Sequence, residues 1–91
     1  MIAIKDSSET LDFSVDFGQV LAPGEIITGY TASATGVTLN SFSLSGNVET
    51  VWVSGGTRGL YANVVYQITT NQGRTLVETL RLQIGPIYAP T

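Results

Sequence analysis

The chain has 91 residues, with four Lys or Arg, seven Asp or Glu, and neither histidine nor cysteine. That length holds one domain with one modest core. The missing residue types exclude Ser-His-Asp and Cys-His catalysis, a thiolate nucleophile and soft-metal centres.

The four cations, Lys5, Arg58, Arg74 and Arg81, are scattered along the chain. Nucleic-acid binding through phosphate neutralisation needs them clustered, so no direct contact with DNA or RNA is expected. Apolar residues make up 43% of the chain, a folded composition, while charged residues make up only 12%. That is about half the usual share of charge. The surface is therefore built largely of Ser, Thr, Asn, Gln and Gly, which suits a protein packed in an assembly and equally suits a secreted β-domain. No apolar run approaches the roughly 18 residues of a membrane span, and MIAIKDSSET lacks the hydrophobic length of a signal peptide.

Residues 1–10 read as an N-terminal arm. From there the dominant period is two. Leu11, Phe13, Val15 and Phe17 alternate with Asp12, Ser14 and Asp16, the pattern of a half-buried strand. Leu21-Ala22-Pro23-Gly24 is a turn, and the β-branched and aromatic run from Glu25 to Ser33 predicts a second strand. In Val37 to Ser45, Val37 and Leu39 share one parity and Phe42 and Leu44 the other. The switch at Asn40-Ser41 predicts a bulge or turn.

Gly46-Asn47 marks the next turn, and Val48 to Ser54 the next strand. There Val51 and Val53 lie on one side and Trp52 on the other. Tyr61 to Thr70 and Thr75 to Ile84 form the best hairpin, joined by Asn71-Gln72-Gly73. The tail, 86–91, holds two of the three prolines and should leave the fold. No segment carries a helical apolar period. About seven short strands in a chain of this length predict an all-β fold, an immunoglobulin-like β-sandwich over 11–85, with a small barrel as the alternative.

Chemistry-bearing patterns are sparse. Asp12 and Asp16 share a strand face, but strand rise sets them roughly 13 Å apart, too far for a carboxylate pair. Asp6, Glu9, Asp12 and Asp16 lack the spacing and glycine of a calcium loop, so no metal site is expected. Gly55-Gly56-Thr57-Arg58-Gly59 resembles a phosphate cradle in composition, but it leads into a strand, not a helix N-terminus. It reads as a corner whose glycines take positive φ, with Arg58 exposed at the loop tip. Trp52 reads as the buried aromatic of the core, with an interface anchor as the alternative.

The segments DFSVDFGQVLAPGEIIT, VWVSGGTRGLY and ITTNQGRTLVETLRLQI resemble a family of small phage structural proteins, the fiber-tail adaptors. Matching positions include Asp12, Phe13, Asp16, Leu21, Gly24, Ile27, Trp52, Ser54, Gly55, Gly56, Thr57, Gly59, Tyr61 and the Ile68-Thr69-Thr70 and Gly73-Arg74-Thr75 triplets. Phe17 stands where the family pattern has Trp, and Glu25 where it has Asp. The resemblance spans Leu11 to Ile84.

It implies an immunoglobulin-like sandwich in a virion that bridges tail or neck to fibers, with no enzymatic activity and no cofactor. The implied partners are other virion proteins (tail, neck, portal-adaptor or fiber), with several copies in a symmetric assembly and no membrane. Residues expected at a protein interface are Thr57 and Arg58 in the loop, Arg74 in the hairpin connection and Tyr88 in the tail. Two other readings compete. One is a decoration or cement protein on the phage head. The other is a cell-surface or carbohydrate-binding module displaying Tyr30, Trp52, Tyr61 and Tyr66 on one sheet face.

Overall fold

The computed structural model describes residues 2–85. These form seven strands: β1 (Ile2–Asp6), β2 (Thr10–Asp16), β3 (Ile27–Thr35), β4 (Thr38–Ser45), β5 (Val48–Ser54), β6 (Tyr61–Thr70) and β7 (Thr75–Gly85). One sheet has the order β1-β7-β6-β3 and the other β2-β5-β4. Setting β1 aside, the division is that of an immunoglobulin domain, with its second, fifth and fourth strands facing its third, sixth and seventh.

The core lies between the sheets. Val15, Phe17, Val51 and Val53 from the smaller sheet side meet Ala62, Val64, Tyr66, Ile68, Leu80, Leu82 and Ile84 from the larger. These are the alternating apolar positions of their strands, so the period-two pattern buries what it predicts. Antibody domains tie the two sheets with a disulfide. Here, with no cysteine, the Tyr66 hydroxyl on β6 donates to the Phe13 carbonyl on β2 at 2.9 Å.

The parity switch in the fourth strand is a bulge. Leu39 faces Val53, and Ser41, not Asn40, faces Trp52. The extra residue turns Phe42 and Leu44 to the same side as Leu39. Gly46-Asn47 joins β4 to β5 as a two-residue turn, with Gly46 at φ +60°.

Two features depart from the sequence expectations. Residues 2–6, read as part of an arm, form β1 and pair in parallel with β7, Lys5 opposite Ile84. A short strand carrying a lysine hides its membership because the lysine is the residue turned inward. Trp52, read as core, is 43% exposed on the outer face of the smaller sheet, between Asp12 and Ser41. Alternation places it opposite the buried Val51 and Val53. The tail, including Tyr88, lies outside the described residues.

Candidate protein-binding surface

One pole of the sandwich gathers the end of β1, the start of β2, the corner between β5 and β6, and the end of β7. The corner is built on backbone geometry. Gly55 and Gly56 have φ of +77° and +107°, values that side chains with a Cβ rarely adopt. A Cβ on Gly56 would also stand 2.8 Å from the Ile84 Cδ1 atom. The corner is thus pressed onto the last core residue of β7, and a wider backbone would not fit. Gly59 N–H donates to the Ile84 carbonyl, and Ile84 N–H to the Leu60 carbonyl, each at 3.0 Å.

Lys5 locks this corner from the side. It is fully buried, and its ammonium donates to the Gly55 carbonyl at 2.7 Å and the Asp6 carbonyl at 2.8 Å. A buried ammonium is tolerable only when such acceptors replace its water. Lys5 therefore works as an internal clamp between β1 and the corner.

The glycine-rich segment makes no phosphate cradle. It holds Thr57, Arg58, Gly59 and Leu60 out in solvent. Next to it, Asp6 accepts from Ser8 N–H and Oγ and caps the β1–β2 turn. Those hydrogen bonds, and then the nearby Arg58 and Lys5 charges, hold the Asp6 carboxyl below its ordinary pKa.

Across the adjoining outer face of the larger sheet, Ile4, Gln83 and Tyr61 form one row. Ile4 and Tyr61 are 54% and 49% exposed, and Leu60 is more so. The Arg81 guanidinium lies over the Tyr61 ring, 3.9 Å from its centroid, a cation–π contact that orients both side chains. Exposed Tyr, Arg and aliphatic side chains on a rigid strand pair have the composition of an interface centre. Thr57 and Arg58 thus lie beside a patch formed by Ile4, Leu60, Tyr61 and Arg81 that sequence reasoning did not assemble. The signal for it was weak, because it depends on β1 joining β7.

Arg74 is at the opposite pole and serves the fold. Its Nε donates to Glu25 Oε2 at 2.8 Å, and its Nη2 contacts Glu25 Oε1 at 2.5 Å and the Val20 carbonyl at 2.8 Å. Glu25 also accepts from the Thr70 hydroxyl at 2.6 Å and the Ala22 N–H. The Arg74 and Thr70 hydrogen bonds pull its pKa down to about 2. Together these contacts tie the 17–26 loop to the β6–β7 hairpin.

Tyr30, Trp52, Tyr61 and Tyr66 do not share a face. Tyr66 is fully buried, Tyr30 packs edge-on against Phe42, and Trp52 and Tyr61 lie on different sheets. The single-face carbohydrate platform is therefore not formed. No group of three or more acidic side chains converges among the described residues. Asp6, Glu9 and Asp16 instead accept from nearby backbone N–H groups.

The family model for the podophage GP4 fiber-tail adaptor protein gp77 matches residues 5–83. The chain belongs to this family of podophage fiber-tail adaptors. A search of curated proteins finds no match. The family match begins at Lys5, earlier than the Leu11 at which the sequence resemblance starts, and so takes in the buried clamp as well as the corner and the hairpin. Membership makes the chain a component of the phage virion tail with a structural adaptor role, in contact with other virion proteins such as tail and fibers.

Proposed function

We propose that this fiber-tail adaptor joins neighbouring virion proteins through the pole formed by the 55–60 corner and the Ile4–Tyr61–Arg81 face, without catalysing a reaction. The observation that carries this reading is the Arg81–Tyr61 pair, flanked by exposed Ile4 and Leu60 and by the exposed loop cation Arg58. Among the described residues the salt bridge formed is Arg74–Glu25, which leaves Arg58 and Arg81 available to a partner. Interface energy concentrates in such aromatic and arginine anchors, and a rigid sandwich holds them at fixed spacing. Several copies are disposed around the tail, each presenting this pole to a tail, neck or fiber protein. Thr57 and Arg58 lie at the contact, and Arg74 supports the fold at the opposite pole.

The test supplies the protein in trans to phage lacking it. Tyr61→Ala and Arg58→Glu should melt as the unchanged protein does, yet enter particles poorly. Incorporation at the unchanged level by both variants would remove this pole from the interface.

A further inference from the structure

The two long sides of the sandwich differ in charge. On one side lie the edge strands β1 and β2, which carry Asp6 and the exposed Asp12 and Asp16. On the other lie β3 and β4, edges of their respective sheets. Residues 26–48, which contain both, hold no Asp, Glu, Lys, Arg or Pro. Proteins usually protect a free strand edge with charge, proline or a cover. The β1–β2 side carries such charges and the β3–β4 side has none. β3 runs for nine residues, pairs only with β6, and makes no other backbone hydrogen bond over Gly29–Thr35 among the described residues.

We infer that this side is a self-association surface, in which β3 pairs antiparallel with β3 of a second copy about a two-fold axis at Ala32. Three observations select a second copy as the occupant. Each chain carries a net charge of −3, so two copies repel, and they repel least where neither presents charge. A two-fold interface must be complementary to itself, and β3 meets that demand in this register. Tyr30, 40% exposed on its edge, falls opposite the partner's Ala34, large against small. Thr31 falls opposite the partner's Ser33, a hydroxyl pair favourable across strands.

The third observation is a shallow cavity of about 230 Å³ lined by Gly29, Tyr30, Thr31, Gln67 and Thr69. It lies where Gly29 has no side chain, and a Cβ there would stand 2.8 Å from Thr69 Oγ1. The same register sets the partner's Thr35 opposite Gly29, so its side chain falls over this cavity, whose lining is largely apolar. The two larger sheets would join into one continuous sheet, leaving both corner poles free.

This surface is tested on the purified full chain by sedimentation equilibrium. The unchanged protein should form dimers. The double variant Thr31→Lys, Ser33→Lys sets lysine opposite lysine twice, and should weaken dimerisation by at least about tenfold with an unaltered melting curve. Ser14→Lys, on the β2 edge, should leave dimerisation unchanged. Because the chain has no cysteine, Ala32→Cys should give a disulfide-linked dimer under mild oxidation, and Ser14→Cys should not. A protein that stays monomeric at every concentration, or a dimer indifferent to the double lysine variant, overturns the inference. Either result leaves the adaptor reading standing, since particle incorporation is measured separately.

Discussion

At the scale of single residues, two buried glutamates give this domain opposite responses to pH. Glu49 is fully buried on β5, and among the described residues neither carboxylate oxygen has a hydrogen-bond partner. Its cross-strand neighbours are Val15 and Leu44; Tyr66, on the facing sheet, is the titratable group coupled to it. Desolvation raises its pKa from 4.5 to about 7. Below the unfolded value of 4.5 the carboxyl is neutral in both states. As pH rises toward about 7, the unfolded chain loses the proton while the folded chain keeps it, so stability falls.

The full loss is worth at most roughly 3 kcal/mol. Glu49→Leu should therefore stabilise the protein far more at about pH 8 than at about pH 4, read as denaturation midpoints. A pH-independent gain would show that the carboxyl is not held neutral. Glu25 behaves in reverse. Its folded pKa is near 2, so its contribution is present above the unfolded value and is lost as pH falls through 2. Arg74→Met should remove that acid-side loss and speed hydrogen exchange in the 17–26 loop.

The burial of Glu49 was legible in part. It shares parity with Val51 and Val53, which places it inward, but a charge in a strand reads as surface by habit. Trp52 was misread for the converse reason, because aromatic size outweighed parity.

At the scale of elements, alternation located six of the strands, and the parity change at Asn40-Ser41 located the bulge. What it did not locate was β1. Five residues, three apolar followed by Lys5 and Asp6, give too little periodicity, and the strand's partner is at the far end of the chain. Its attachment rests on the Lys5 clamp. Lys5→Met keeps the apolar stem but leaves the Gly55 carbonyl without its donor, which should cost about 2 kcal/mol and release β1 to rapid hydrogen exchange. Unchanged exchange in β1 would show that backbone pairing alone holds it.

The corner gives a second test at this scale. Gly55→Val meets open space and pays only for positive φ, about 1–3 kcal/mol. Gly56→Val adds the collision with Ile84 and should be the more destabilising of the two in denaturant unfolding. Equal midpoints would contradict the packing of the corner on β7.

At the scale of the molecule, the sandwich separates its tasks by direction. One pole holds the loop clasp of Glu25 and Arg74. The other presents Arg58, Leu60, Tyr61 and Arg81, and the charge-free side offers β3 to a second copy. The fold class and the family were legible in the sequence because the corner and the Gly73-Arg74-Thr75 hairpin are local motifs. The binding face was not, since it joins residues from β1, β6 and β7 that only the topology brings together. This family member works as a tail adaptor. The most direct test of that role is the copy number per purified particle, by quantitative mass spectrometry against the major capsid protein. A tail adaptor should be present at a small multiple of the tail symmetry, far below the capsid count. A copy number comparable to that of the capsid protein would place the chain on the head shell and contradict that role.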